Sequence, residues 1–166
     1  VDHGQTWSQA EVISGDGFGT LLRRDEVASP GPSGQIVLAY AIEWAAEQGA
    51  DVINLSLGAD FDSTVLSETI ASAIAQGIVV VAAAGNSDGA TPQYPAAYPN
   101  VVGVTALAAD NTKAVFAAYG ANWVDLAAPG VGITSTIVGP LGSGYAVWSG
   151  TSMATPHVVG VVALAW

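Results

Sequence analysis

A serine stands in the run Gly150-Thr151-Ser152-Met153-Ala154-Thr155-Pro156-His157, where a strongly apolar stretch of helical character begins. A hydroxyl there lies at a helix N-terminus, whose first N–H groups have no intrahelical acceptor and favour developing negative charge. Gly150 and Ala154 are small and leave room for a substrate carbonyl. Such a serine could attack a carbonyl and form an acyl intermediate, given a base for its proton and donors for the oxyanion. Taken alone, a serine followed three residues later by threonine is also an ordinary N-cap. The chain has no cysteine, which excludes a thiol nucleophile, thiolate metal sites and disulfides. Its two histidines, His3 and His157, do not have zinc-ligand spacing, and the acidic residues form no recognisable calcium loop.

The elements that would hold this serine alternate between helix and strand. Gly34 to Gln48 carries apolar residues at Ile36, Val37, Tyr40, Ala41, Trp44 and Ala45, a helical spacing closed by Gly49. Asp51 to Leu57 reads as a buried strand. Ser63 to Gln76 reads as a second helix, with Ser63 as N-cap and Gly77 as its stop. Ile78 to Ala84 is continuously apolar, as expected of a parallel sheet covered on both faces. Asn100 to Leu107 and Trp123 to Ala127 are the further strands, and an apolar helix begins near Ser152. The alternation predicts an α/β fold, a parallel sheet flanked by helices. Residues 5 to 33 do not join the pattern, apart from a short possible strand near Leu21-Leu22.

Hydrophobic residues make up 51% of the 166 and charged residues 10%, which suits one domain with a sizeable core and not a disordered chain. No apolar run approaches the roughly 18 residues of a membrane span. Net charge is −11, and the basic residues are Arg23, Arg24 and Lys113. Nucleic-acid binding is disfavoured, since phosphate contacts need clustered Lys and Arg. The acidic balance reads as a solvated surface, with cation binding as the lesser alternative. The opening Val1-Asp2-His3-Gly4 is neither basic nor apolar, so no secretory signal is expected in this chain.

The octapeptide from Gly150 to His157 resembles the nucleophile signature of the subtilisin family of serine proteases, and other segments match in the family's order. Ala82-Ala83-Ala84-Gly85-Asn86 is similar to the strand end that carries the oxyanion asparagine. The resemblance implies that Asn86 and the Ser152 N–H receive the oxyanion; alone, Gly-Asn after a strand would be a turn. Ser56-Leu57-Gly58 resembles the edge that binds substrate backbone as an added strand, and is otherwise a plain strand terminus. Ser56, Leu57, Gly58, Ala84, Gly85 and Gln93 are the implied substrate-binding residues. Tyr94-Pro95-Ala96 and Ala127-Ala128-Pro129-Gly130 match further landmarks. His3-Gly4 agrees with the start of the family's catalytic histidine helix, which makes His3 the implied base, although Gln5-Thr6-Trp7-Ser8-Gln9 departs from that helix. His157 is implied to be a packed, non-catalytic helix histidine.

The expected fold is therefore subtilisin-like, three-layered and incomplete: a single catalytic domain over 1–166, truncated at both ends, clear over 34–166 and anomalous over 1–33. No motif position is left for the triad aspartate, and Asp2 is poorly placed to orient its neighbour. The expected function is acyl transfer on peptide or ester carbonyls with ester hydrolysis favoured, the alternative being an inert fragment that at most binds peptide. No cofactor or metal is expected, no nucleic-acid or membrane partner, and a homo-oligomer through exposed sheet edges is possible. The resemblance implies an extracellular place of action.

Overall fold

The computed structural model describes residues 32–139 and 142–165. Helix α1 (Pro32–Glu47) is followed by strand β1 (Val52–Leu55), helix α2 (Thr64–Ala75) and strand β2 (Val79–Ala83). Strands β3 (Val102–Leu107) and β4 (Leu126–Pro129) come next. A hairpin of β5 (Ile133–Gly139) and β6 (Gly142–Trp148) then leads into helix α3 (Thr151–Ala165).

Both early helices end as their glycines predict. In α1 the Gly49 N–H bonds to Ala46 O and the Ala50 N–H to Ala45 O, with Gly49 at φ +80°. In α2 the Gly77 N–H bonds to Ile74 O and the Ile78 N–H to Ala73 O, with Gly77 at φ +92°. This paired arrangement satisfies the last carbonyls of a helix and needs the left-handed conformation that glycine tolerates. The Ser63 hydroxyl caps the start of α2, accepting from the Leu66 N–H at 3.4 Å.

The sheet is parallel in the order β1-β2-β3-β4, with Ile53 opposite Val80, Ala83 opposite Val104 and Ala106 opposite Ala128. Side chains alternate across it. Ile53, Leu55, Val80 and Ala82 join Leu38, Ile42, Leu66 and Ile70 in one apolar cluster with α1 and α2. Val52, Val81, Val104, Ala106 and Ala128 join Ala154, Val158 and Val159 of α3 on the other face. The architecture is a parallel α/β sheet with helices on both faces, and α3 lies directly against the strands that lead to the candidate site.

Two expectations change. The fourth strand lies at Leu126–Pro129 rather than Trp123 to Ala127. Gly120 O accepts from both the Trp123 and Val124 N–H groups, so those residues form a turn. Asp125 then aligns the strand by pairing its backbone and its carboxylate with Gly103 at 2.9 and 2.8 Å. The antiparallel hairpin of β5 and β6 was not anticipated; Tyr145 and Val147 are exposed, so no buried face marks it in the sequence.

Candidate functional site

The site lies where the carboxyl ends of β1 and β2 meet the N-terminus of α3, the usual ligand position in a parallel α/β sheet. Ser152 is the second residue of α3 and half-buried. Gly150 O accepts from the Met153 and Ala154 N–H groups at 3.0 and 3.4 Å, closing the first turn. Among the described residues the Ser152 N–H has no acceptor. It is an unspent donor at the positive end of the helix.

Asn86 follows Gly85, the first residues after β2 and its extension through Ala84. Gly85 turns the chain out of the sheet at φ +98°. The Asn86 Oδ1 accepts from the Thr151 N–H at 2.9 Å and from the Thr151 hydroxyl at 3.1 Å. The same hydroxyl accepts from the Gly85 N–H at 3.1 Å, and Thr151 is fully buried. With its oxygen held, the carboxamide presents its Nδ2 outward. Both Nδ2 and the Ser152 N–H border the space that Gly150 leaves open: a Cβ there would lie 3.5 Å from Asn86 Nδ2 and 3.7 Å from Ser152 N. Two N–H donors from separate elements thus flank one small volume beside the serine, as stabilisation of an oxyanion requires.

Ser56 and Ser152 hold each other twice. The Ser152 hydroxyl donates to Ser56 O at 3.0 Å, and the Ser56 hydroxyl donates to Ser152 O at 2.9 Å. Behind them, the Asn54 Nδ2 donates to Ser56 Oγ at 2.9 Å. Sequence reasoning singled out neither Thr151 nor Asn54. A polar residue on the α3 side of an otherwise apolar strand was the available signal for Asn54, because buried polar groups are almost always hydrogen-bonded.

The remaining candidates are distributed around this centre. Gly58 is exposed, and a Cβ on it would lie 3.4 Å from Tyr94 O and 4.0 Å from Gln93 Cβ. Gln93 also covers Gly85, its Cγ 3.0 Å from where a Cβ would stand. Ala59 and Tyr94 exchange two backbone bonds of 2.8 Å, which hold the Gly58 and Gln93 segments side by side. Leu57 packs against the α1/α2 cluster, and Ala84 is fully buried with its N–H on Val104 O. His3 lies outside the described residues. His157, expected to be packed, is exposed; its Nδ1 lies 2.9 Å from Met153 O, one turn back on α3. The cause is helical phase: Val158 and Val159 face the sheet, whereas 156 and 157 face outward.

A sequence profile of the subtilase family matches residues 13–166, which reaches into the stretch read as anomalous. Alkaline elastase YaB of Bacillus sp. (strain YaB) is 45% identical over 127 residues, covering 76% of this chain and 32% of that protein. The thermophilic serine proteinase of Bacillus sp. (strain AK1) is 51% identical over 127 residues, covering 76% and 31%. Subtilisin Savinase of Lederbergia lenta is 46% identical, covering 76% and 46%. The chain thus matches between 31% and 46% of these relatives' length. A cold adapted subtilisin-like serine proteinase of known structure superposes with a TM-score of 0.72 at 34% identity, covering 87% of this chain and 50% of that one. With the profile spanning most of its length and the subtilisin-like sheet and helices in place, this chain belongs to the subtilase family.

Proposed function

We propose that Ser152 is the nucleophile of a serine hydrolase centre acting by acyl transfer on peptide or ester carbonyls. The observation that carries this reading is the pair of donors, Asn86 Nδ2 and Ser152 N–H, bordering the space left by Gly150. The base in this reading is His3: its imidazole takes the Ser152 proton, the serine oxygen bonds to the carbonyl carbon, and the two donors hold the oxyanion. The protonated imidazole then gives its proton to the leaving group, and water releases the acyl group by the same steps. Substrate backbone aligns along Ser56, Leu57 and Gly58 as an added strand, with Gln93 beside the side-chain pocket. The likeness to subtilisins supports an extracellular place of action.

Among the described residues no carboxylate is assigned to orient the imidazole in this reading. Loss of the orienting carboxylate costs about 10⁴ in turnover in the well-studied triads. That loss falls hardest on amides, whose poor leaving group must be protonated by a well-placed imidazolium. Activated esters leave without such help. The polypeptide is therefore expected to hydrolyse a short-chain nitrophenyl ester faster than casein. Turnover of both substrates is to be compared with that of Ser152→Ala, together with labelling by a fluorophosphonate. Equal ester turnover in Ser152→Ala would defeat the assignment of the nucleophile. Absence of labelling in the parent would point to a fold that binds peptide without catalysis.

A further inference from the structure

Pro156 lies inside α3 and has no N–H, so the carbonyl four residues back, that of Ser152, lacks a helical donor. The structure satisfies it from another element: the Ser56 hydroxyl donates to Ser152 O at 2.9 Å. A carbonyl can only accept, so the single proton of Ser56 is committed to this bond, and Ser56 Oγ is left to accept. Asn54 supplies the donor, its Nδ2 at 2.9 Å. That direction fixes the amide orientation, because an oxygen turned toward Ser56 would compete for the same proton. Asn54 is about nine-tenths buried on the α3 side of β1. Its Oδ1 has no partner among the described residues, so the Nδ2 contact is the hydrogen bond this side chain makes there.

We propose that Asn54 and Ser56 form a positioning relay: Asn54 orients the Ser56 hydroxyl, which holds the Ser152 carbonyl that Pro156 leaves unpartnered. The relay fixes the first turn of α3 against the end of β1 and so sets where the Ser152 Oγ and N–H stand. Asn54 touches neither substrate nor reacting atoms in this scheme and is a positioning residue. The inference rests on Ser152 being the nucleophile.

The test is the second-order rate of fluorophosphonate labelling of the full chain, with Ser152→Ala as blank. Ser56→Ala and Asn54→Leu should each slow labelling about tenfold, the scale of one net hydrogen bond. The double variant should be no slower than either single one, since both break one chain of bonds. In a Pro156→Ala background the helix supplies its own N–H to Ser152 O, and the loss caused by Ser56→Ala should then shrink severalfold. Asn54→Asp adds a pH signature. The ionised carboxylate only accepts and draws the Ser56 proton away from Ser152 O, whereas the protonated acid can donate as the amide does. Its labelling rate relative to the parent should therefore rise toward one between about pH 8 and about pH 5, a range that burial of a carboxyl makes accessible.

Effects that multiply to about a hundredfold in the double variant, an undiminished Ser56→Ala loss beside Pro156→Ala, or a flat Asn54→Asp ratio would each overturn the relay. If Asn54→Leu does not fold, Asn54→Asp at high pH replaces it in the cycle. If the parent does not label, the hydrolase reading fails but the relay is still decided, by amide exchange across residues 151–155 in the same variants. Equal loss of protection in the singles and the double supports it; additive losses overturn it.

Discussion

The Asn86 carboxamide oxygen is held by Thr151 twice, by its backbone N–H at 2.9 Å and by its hydroxyl at 3.1 Å. An exposed asparagine after a strand would otherwise sample several rotamers, and a donor that wanders cannot be preorganised for an oxyanion. Thr151→Val keeps the shape and the N–H but removes the hydroxyl. The expected result is a fall in Ser152 acylation rate of about tenfold, one net hydrogen bond, with little change in KM. Asn86→Leu removes the proposed oxyanion donor, and kcat is expected to fall by about 10²–10³, the magnitude of the same loss in subtilisin. Steady-state kinetics with an ester substrate checks both, and a Thr151→Val effect confined to KM would contradict the aiming role.

Tyr98 ties the start of α2 to the loop after β2, its hydroxyl accepting from the Ser63 N–H at 2.9 Å and donating to Ser63 O at 3.0 Å. Burial, with smaller contributions from Asp62 and Tyr94, pushes the phenol from 10.0 up to about 12. A raised folded value means that the neutral phenol is favoured by the fold. Its contribution is complete below about pH 10 and is lost as pH rises toward about 12. Alkaline unfolding should show about 1 kcal/mol of this loss by pH 11, and Tyr98→Phe should flatten the alkaline slope while lowering stability at neutral pH. Denaturant melts at pH 8, 10 and 11 measure it; an unchanged slope in Tyr98→Phe would exclude this phenol as its source.

Lys113 braces the loop that follows Asn86. Its ammonium meets Asp88 Oδ1 at 2.8 Å, Ala117 O at 2.9 Å and Ala114 O at 3.1 Å. The ion pair is exposed, and such pairs contribute about 0–1 kcal/mol. The two carbonyls weigh more, because they lose a charged donor worth about 1.5–3 kcal/mol for such bonds. Asp88→Asn should therefore change stability little, whereas Lys113→Met should lower it by about 1–2 kcal/mol. Thermal melts of both variants in low and high salt separate the two contributions; a larger loss for Asp88→Asn would reverse this ranking.

Gly85 combines φ +98° with close cover from Gln93. Gly85→Ala is expected to cost about 1–3 kcal/mol and to slow acylation, because the same turn delivers Asn86. Adding Gln93→Ala should relieve the contact but not the backbone strain, so stability should recover only in part. Full recovery in the double variant would mean that the contact alone was responsible.

Much of the site was legible in the sequence because its signals are local. The run around Ser152 marks the proposed nucleophile, Gly49 and Gly77 stop their helices as read, and the largely apolar runs at Val52–Leu55 and Val79–Ala83 are buried strands. Apolar alternation and a glycine after a helix depend on neighbours within one turn or one pleat, so they survive in one dimension. The edges of the reading failed where the signal was not local. Trp123 belongs to a turn because Gly120 and Asp125 bind backbone groups around it, and the hairpin of β5 and β6 exposes residues that no buried face patterns.

The sequence by itself determined which serine stands at a helix N-terminus and which strands are buried; once the helix is in place, Pro156 leaves the Ser152 carbonyl without a helical donor. Only the tertiary structure decided what meets that carbonyl and what holds Asn86. The partners are Ser56 and Thr151, 96 and 65 residues away along the chain. A helix can expose an unpaired carbonyl by local chemistry, but its partner is set by which strand end the packed sheet brings against it.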